Sequence, residues 1–441
     1  MTVFRSRRVV LPHGEQAADV VVRDGRIMAV EPYGDVVDGE LVDLGDLVLL
    51  PGLVDTHVHI NEPGRTEWEG FETATKAAAA GGVTTLLDMP LNSVPPTTTV
   101  ENLKAKRSAA AGKLSVDVGF WGGAIGTNNS DLAGLHEAGV FGFKAFLAPS
   151  GVSEFPHLSK DTLLGVLAEV ARLGTVLIVH AEEADALAAP PAVGVRSYRD
   201  FLRSRPPEAE HAAVATLIDA ARRTGAAVHV LHVSSAGVLP LVAAARAEGV
   251  AVTAETCPHY LSFTAEDIPD GATLFKCCPP IRDAANREQL WRGLAAGELD
   301  LVVSDHSPCP VDLKNLDTGE FGTAWGGISS LQLGLATVWT EADLRGHSLG
   351  DVVRWMATGP ARFAGLDAKG SIGVGKDADL VAFDPAAEQI VDSARLLHRH
   401  PVTPYAGRRL RGIVRGTWLR GHPVGTPAGV VLRREHSDAM A

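Results

Sequence analysis

Apolar runs recur eight times along the middle of the chain, at 48–58, 83–91, 116–120, 140–147, 175–179, 227–233, 250–254 and 299–303. They are rich in Val and Leu and show no polar alternation, which marks strands buried on both faces, as in a parallel sheet. Between them lie Ala-, Glu- and Arg-rich stretches such as 68–80 and 208–223, which predict helices. Strand–helix alternation repeated eight times predicts an α/β fold, a (β/α)8 barrel of TIM type.

The flanks are patterned differently. Asp19-Val-Val-Val-Arg23 and Arg26-Ile-Met-Ala-Val30 flank Asp24-Gly25, the dipeptide of a tight hairpin. At the far end, 378–383 reads as a strand, and 410–423 alternates, with turns expected at Gly416 and Gly421. The expected division is a small β-sandwich-like domain from 1–50 plus 367–441, and a barrel over 51–366.

The chain has 441 residues, a formal charge of −13, 46% apolar and 21% charged residues. That is an ordinary globular composition. The acidic balance argues against nucleic acid or anionic lipid as a partner. No stretch approaches the ~18 apolar residues of a membrane span. Residues 1–10 carry Arg5, Arg7 and Arg8 but no apolar core of a signal peptide, so a cytoplasmic protein is expected. Cys257, Cys277, Cys278 and Cys309 are too few and too clustered for a disulfide framework and are expected as reduced thiols.

Polar residues collect where the predicted barrel strands end, the face on which barrel enzymes place their sites. Strand one ends Asp55-Thr-His57-Val-His59, and residues i and i+2 share a strand face. Strand four carries Lys144, strand five ends at His180, strand six at His232 and strand eight at Asp305. Imidazoles with a carboxylate form a ligand set for zinc, cobalt or manganese. His229 has the opposite parity to His232 on its strand and reads as structural. An ammonium cannot ligate a metal. A lysine in an apolar pocket has a depressed pKa, however, and its free amine can take up carbon dioxide as a carbamate able to bridge two metals.

These features resemble the cyclic amidohydrolases over nearly the whole chain. The motifs are Pro51-Gly-Leu-Val-Asp-Thr-His-Val-His-Ile-Asn-Glu-Pro-Gly-Arg65, Asp88-Met-Pro-Leu-Asn92, Gly142-Phe-Lys144, Glu255-Thr-Cys-Pro-His-Tyr260, Lys276-Cys-Cys-Pro-Pro-Ile-Arg-Asp283, Val303-Ser-Asp-His-Ser-Pro-Cys309 and Trp325-Gly-Gly-Ile328, with Gly373-Val-Gly-Lys-Asp-Ala-Asp-Leu380 resembling the entry to the family's small β domain. The resemblance implies two divalent metals, zinc first among the candidates. His57 and His59 would ligate the more buried ion, and His180 and His232 the more exposed one. Lys144, as N6-carboxylysine, would bridge them. Asp305 would be both a ligand and the general acid/base, with a bridging hydroxide attacking a cyclic amide.

Within the family the chain is most similar to the allantoinase branch. Dihydroorotases carry a cationic Arg and a His near the substrate carboxylate, and this chain has Asn61 and Cys309 there. A small neutral cyclic ureide is therefore expected, held by Asn92, the backbone at Cys278 and the Gly326-Gly327 turn. The alternatives are a hydantoinase or dihydropyrimidinase, a dihydroorotase, and a metal-free scaffold, which would lack ligands that are present here. The resemblance also implies a homo-oligomer, a tetramer.

Overall fold

The computed structural model describes residues 1–36, 38–188, 194–425 and 427–434, so 37, 426 and 435–441 of the expected end domain lie outside the described residues. The N-terminal strands are β1 (Thr2–Leu11), β2 (Gly14–Arg23), β3 (Arg26–Pro32), β4 (Glu40–Asp43) and β5 (Val48–Pro51). Arg23 pairs with Arg26 across the hairpin, and Asp24 and Gly25 take φ of 50° and 77°, the mirror-image turn that matches strand twist.

The middle of the chain supplies β6 (Leu53–Val58), β7 (Val83–Asp88), β8 (Asp117–Phe120), β9 (Gly122–Gly123), β10 (Phe143–Phe146), β11 (Val176–His180), β12 (Ala227–Val230), β13 (Val252–Thr256) and β14 (Leu301–Val302). They form two parallel arcs, β6-β7-β8 and β14-β13-β12-β11-β10-β9. Except between β8 and β9, helices run between successive strands, among them Phe71–Ala80 and Pro207–Thr224, close to the predicted stretches. Both faces of the strands are buried, so every strand position had to be apolar or polar and satisfied.

The last strands are β15 (Leu380–Ile390), β16 (Arg409–Leu419) and β17 (His422–Pro423). They complete an eight-stranded sheet in the order β17-β16-β15-β5-β1-β2-β3, with β4 paired to β1. Strands from both chain ends thus share one sheet and one apolar layer, in which Phe4, Val20 and Leu49 meet Ile372, Ala378 and Leu380.

Two expectations are corrected in detail. The first apolar run is not one strand: β5 pairs with β1 and β15, β6 pairs with β7, and the chain changes sheets at Gly52. A Cβ at Gly52 would lie 2.1 Å from the Thr84 hydroxyl, so only glycine allows this passage. Gly416 makes no turn. It sits inside β16 beside a register shift, with the Trp418 ring where its Cβ would be, and the turn falls at Arg420-Gly421.

The eight-stranded sheet is tied to β8 by a buried charge cluster in which Lys369 meets Asp117, Asp377 and Asp379 at 2.6, 3.0 and 2.7 Å. Among the described residues no helix is long and apolar enough to cross a membrane.

Candidate metal centre

The C-terminal ends of the parallel strands converge on a cavity of about 270 Å³. His57, His59, Lys144, His180, His232 and Asp305 all line it, as do Asn92, Cys278, Gly326 and Gly327. Asn61 and Cys309 are buried and are not among its lining residues.

The strand ends are fixed by hydrogen bonds to one another. Asp55 accepts the backbone N–H of His57 and that of Ser304, tying β6 to the segment after β14. His59 N–H donates to the His306 carbonyl, and Val58 pairs with His306 in parallel. Asp88, at the end of β7, accepts the Ile60 N–H and pairs with the buried Lys106 at 2.6 Å. His232, Asp305 and Asn92 have φ of 37°, 44° and 68°. Backbone held in this left-handed region by non-glycine residues is strained and collects at functional sites. His232 lies beyond the end of β12, and its turned backbone voids the parity argument that separated it from His229.

Asp305 Oδ1 lies 3.2 Å from His57 Nε2 and 3.4 Å from His59 Nε2. His180 Nδ1 faces His232 Nε2 at 3.0 Å. One potential ligand atom each from His57, His232 and Asp305 falls within a sphere of contacts no wider than 4.8 Å. His232 Nδ1 is buried with no hydrogen-bond partner. Ring nitrogens turned toward one another and toward a carboxylate, with a further buried nitrogen unpaired, fit a site built for divalent cations.

Burial disfavours charge on each of these groups, and the neighbours decide the outcome. At His57 burial is overcome by Asp305 and Glu255, which hold the ring up at about 9. At His59 burial prevails over Asp305 and the ring falls to about 4. Burial likewise pushes His180 and His232 down. Asp305 is buried too, but the surrounding histidines, His57 foremost, keep its carboxyl well below the usual range. Lys144 is lowered to about 7, chiefly by burial and against the pull of Asp305, Glu255 and Cys257. Its Nζ sits 4.6 Å from the centre of the Phe146 ring, and that ring stacks on His180 at 4.8 Å.

Several contributors are not visible in the sequence pattern. Glu255 accepts from His57 Nδ1 at 2.6 Å and also meets His229 Nε2 at 3.0 Å, so His229 is one carboxylate away from a candidate ligand. Glu182 lies 2.7 Å from His180 Nε2 and holds Arg205 through both carboxylate oxygens. Glu255 opens the run Glu255-Thr-Cys-Pro-His-Tyr260 and Glu182 follows His180 by two residues, and nothing else along the chain marks either.

Another part of the cavity lining is a carbonyl-rich loop. Lys276 Nζ donates to the carbonyls of Phe321 and Ala324, and Lys314 to those of Trp325 and Gly327. Gly327, at φ 120°, has no room for a Cβ, which would lie 2.3 Å from the Ser307 carbonyl oxygen. Asn92 presents its side-chain amide 3.5 Å from His59 Nδ1, and its carbonyl accepts from Arg65.

Comparison with known proteins agrees with this geometry. Residues 48–424 match the amidohydrolase family. The chain is 58% identical to an allantoinase of Streptomyces avermitilis over 98% of both chains. It is 45% identical to an allantoinase of Arabidopsis thaliana over 95% of this chain and 87% of that one. Among solved structures it is similar to the L-hydantoinase (dihydropyrimidinase) of Arthrobacter aurescens, with a TM-score of 0.90 and 30% identity over 98% of this chain and 97% of that one. Strand ends bearing histidines, lysine and aspartate, with likeness along the whole chain, lead to one conclusion: the chain belongs to the amidohydrolase family.

Proposed function

We propose that this chain is a hydrolase of cyclic amides that opens the hydantoin ring of allantoin to allantoate. The observation that carries this reading is the convergence of four imidazoles, Asp305 and a lysine driven toward neutrality on one small cavity. The allantoinase relatives, similar over nearly the whole chain, support the choice of substrate. The two parallel arcs are read as one closed (β/α)8 barrel over 51–366. The Val58–His306 bridge at one join and the Phe141 N–H to Phe120 carbonyl bond at the other support closure. Residues 1–50 with 367–441 form the small β domain. The four free thiols suit the reducing cytoplasm, and assembly as a homotetramer completes the reading.

In this assignment His57, His59 and Asp305 would hold one divalent ion and His180 and His232 the other, and Lys144, once converted by carbon dioxide to a carbamate, would supply a further carboxylate ligand. Zinc, cobalt and manganese all suit these donors. When bound, such ions polarise a carbonyl and make water acidic enough to attack at neutral pH. Asp305 is the proton carrier. Its carboxylate stays ionised beside the histidines, so it can accept a proton from the attacking water and return it to the ring nitrogen as the C–N bond breaks. Asn92 and the backbone at Cys278, Gly326 and Gly327 hold the ring, the amide of Asn92 offering both donor and acceptor.

A chelator is expected to abolish allantoin opening, and added zinc, cobalt or manganese to restore it. Full turnover in protein shown to be metal-free overturns the reading. Asn92→Gly tests the substrate contact. Glycine accepts φ of 68° without strain, so only the amide is lost. One hydrogen bond is worth about 0.5–1.5 kcal/mol, so kcat/KM should fall roughly 2- to 12-fold. The loss should appear in KM with metal content unchanged. A fall in bound metal at constant KM would make Asn92 a support for His59 instead.

A further inference from the structure

Two of the proposed ligands are each gripped from behind by a buried glutamate, and the two grips are unlike. His57 Nδ1 is held by Glu255 at 2.6 Å. The inner oxygen of Glu255 also accepts the His232 backbone N–H at 3.4 Å, its outer oxygen meets an imidazole, His229 Nε2, at 3.0 Å, and His229 is fixed in turn by Thr253 Oγ1 at 2.7 Å. His180 Nε2 is held by Glu182 at 2.7 Å, but Glu182 also receives a guanidinium, Arg205, at 3.0 and 2.5 Å. Both carboxylates are fully buried. A carboxylate behind a ligating histidine fixes its tautomer and raises its donor strength. A carboxylate already engaged by a bidentate arginine has less charge to lend to the ring.

We infer that Glu255 and Glu182 are positioning residues that make the two metal positions unequal, with the ion at His57 held more tightly and the ion at His180 weakened by Arg205. This rests on the ligand assignment made above. His57 presents Nε2 to the cavity because Glu255 occupies its Nδ1. His180 presents Nδ1 because Glu182 occupies its Nε2. The asymmetry therefore lies behind the ligands, in groups that touch neither substrate nor metal, apart from Arg205, which reaches the cavity wall.

The test is release of zinc from the loaded enzyme to a competing chelator, followed by metal analysis and not by activity. The wild type should lose its two ions in two separate steps. Glu182→Gln should weaken the first step by about 10- to 100-fold and leave the second in place, and Glu255→Gln should do the reverse. Arg205→Gln should tighten the first-released ion, a gain that mere loss of structure would not produce. If Arg205→Gln fails to fold, the Glu182→Gln and Glu255→Gln pair decides. Simultaneous release in the wild type, or equal weakening of both steps by each glutamate variant, overturns the inference. The ligand assignment fails separately. It falls if His57→Asn and His180→Asn each retain both ions. If each of those variants loses one ion while the glutamate variants do not separate the steps, only the present inference is lost.

Discussion

Lys144→Ala is expected to lower kcat by on the order of 10²–10³-fold or more and to remove one of two bound metal ions. Lys144 is 1% exposed and packs against Phe146 on the inner wall of the cavity. Its truncation leaves a void that opens onto the site. A small carboxylic acid can enter that void and stand where the carbamate would lie, so partial rescue by formate or acetate is part of the expected result. Lys144→Met keeps the volume without the amine. It should be equally inactive and should resist rescue. Near-wild-type turnover with two metals in Lys144→Ala, without added acid, would make the lysine a bystander.

The same residue fixes a pH dependence. Burial lowers Lys144 from 10.5 to about 7, so its reactive free amine is the minor form below that pH and the major form above it. Reactivation of stripped enzyme by metal and carbon dioxide should therefore quicken as pH rises through about 7. At constant dissolved carbon dioxide the gain from pH 6 to pH 8 should approach tenfold. A flat profile would mean that the amine is not the reacting group.

The parallel strands were legible because parallel strands buried on both faces must be apolar throughout, and 83–91 and 227–233 announce themselves in that way. The sheet change at Gly52 was not legible, because the apolar run continues through a residue chosen for the absence of a Cβ beside Thr84. His229, read as structural by parity, is not among the residues lining the cavity, yet parity alone did not place His232. Alternation holds only within a strand, β12 ends at Val230, and His232 turns on a φ of 37°. Glu255 and Glu182 stayed hidden because a glutamate's meaning lies in its partner, and His57 is 198 residues away from Glu255 along the chain. Metal-ligand types at strand ends can be read from sequence, whereas the carboxylates behind them are known only once the strands are brought together.

Given allantoin, hydantoin and dihydroorotate with one metal-loaded preparation, the enzyme is expected to prefer allantoin, which is uncharged near neutrality. Dihydroorotate carries a carboxylate that needs a free cation. Three lysine or arginine side chains line the cavity, Lys144, Arg205 and Lys276. Lys144 lies among the ligands, Arg205 is held by Glu182, and Lys276 is spent on backbone carbonyls. Arg65 is no substitute, because it is paired with Glu154 at 2.6 Å. Leaving one partner of a buried charge pair uncompensated costs about 2–5 kcal/mol, and about 1.4 kcal/mol is tenfold. The specificity constant for allantoin should thus exceed that for dihydroorotate by at least ~30-fold. Asn61 is fully buried and does not line the cavity, so the guanidinium introduced by Asn61→Arg must crowd its surroundings and should slow all three substrates without selectively rescuing dihydroorotate. Hydantoin lacks the ureido arm and should be slower than allantoin, since the arm's polar contacts orient the ring for attack. Equal rates on hydantoin and allantoin would show a cavity that does not read the arm, the behaviour of a broad hydantoinase. Dihydroorotate as the best of the three would mean that one of these engaged cations lets go of its partner to take the carboxylate. The allantoin assignment would then be wrong.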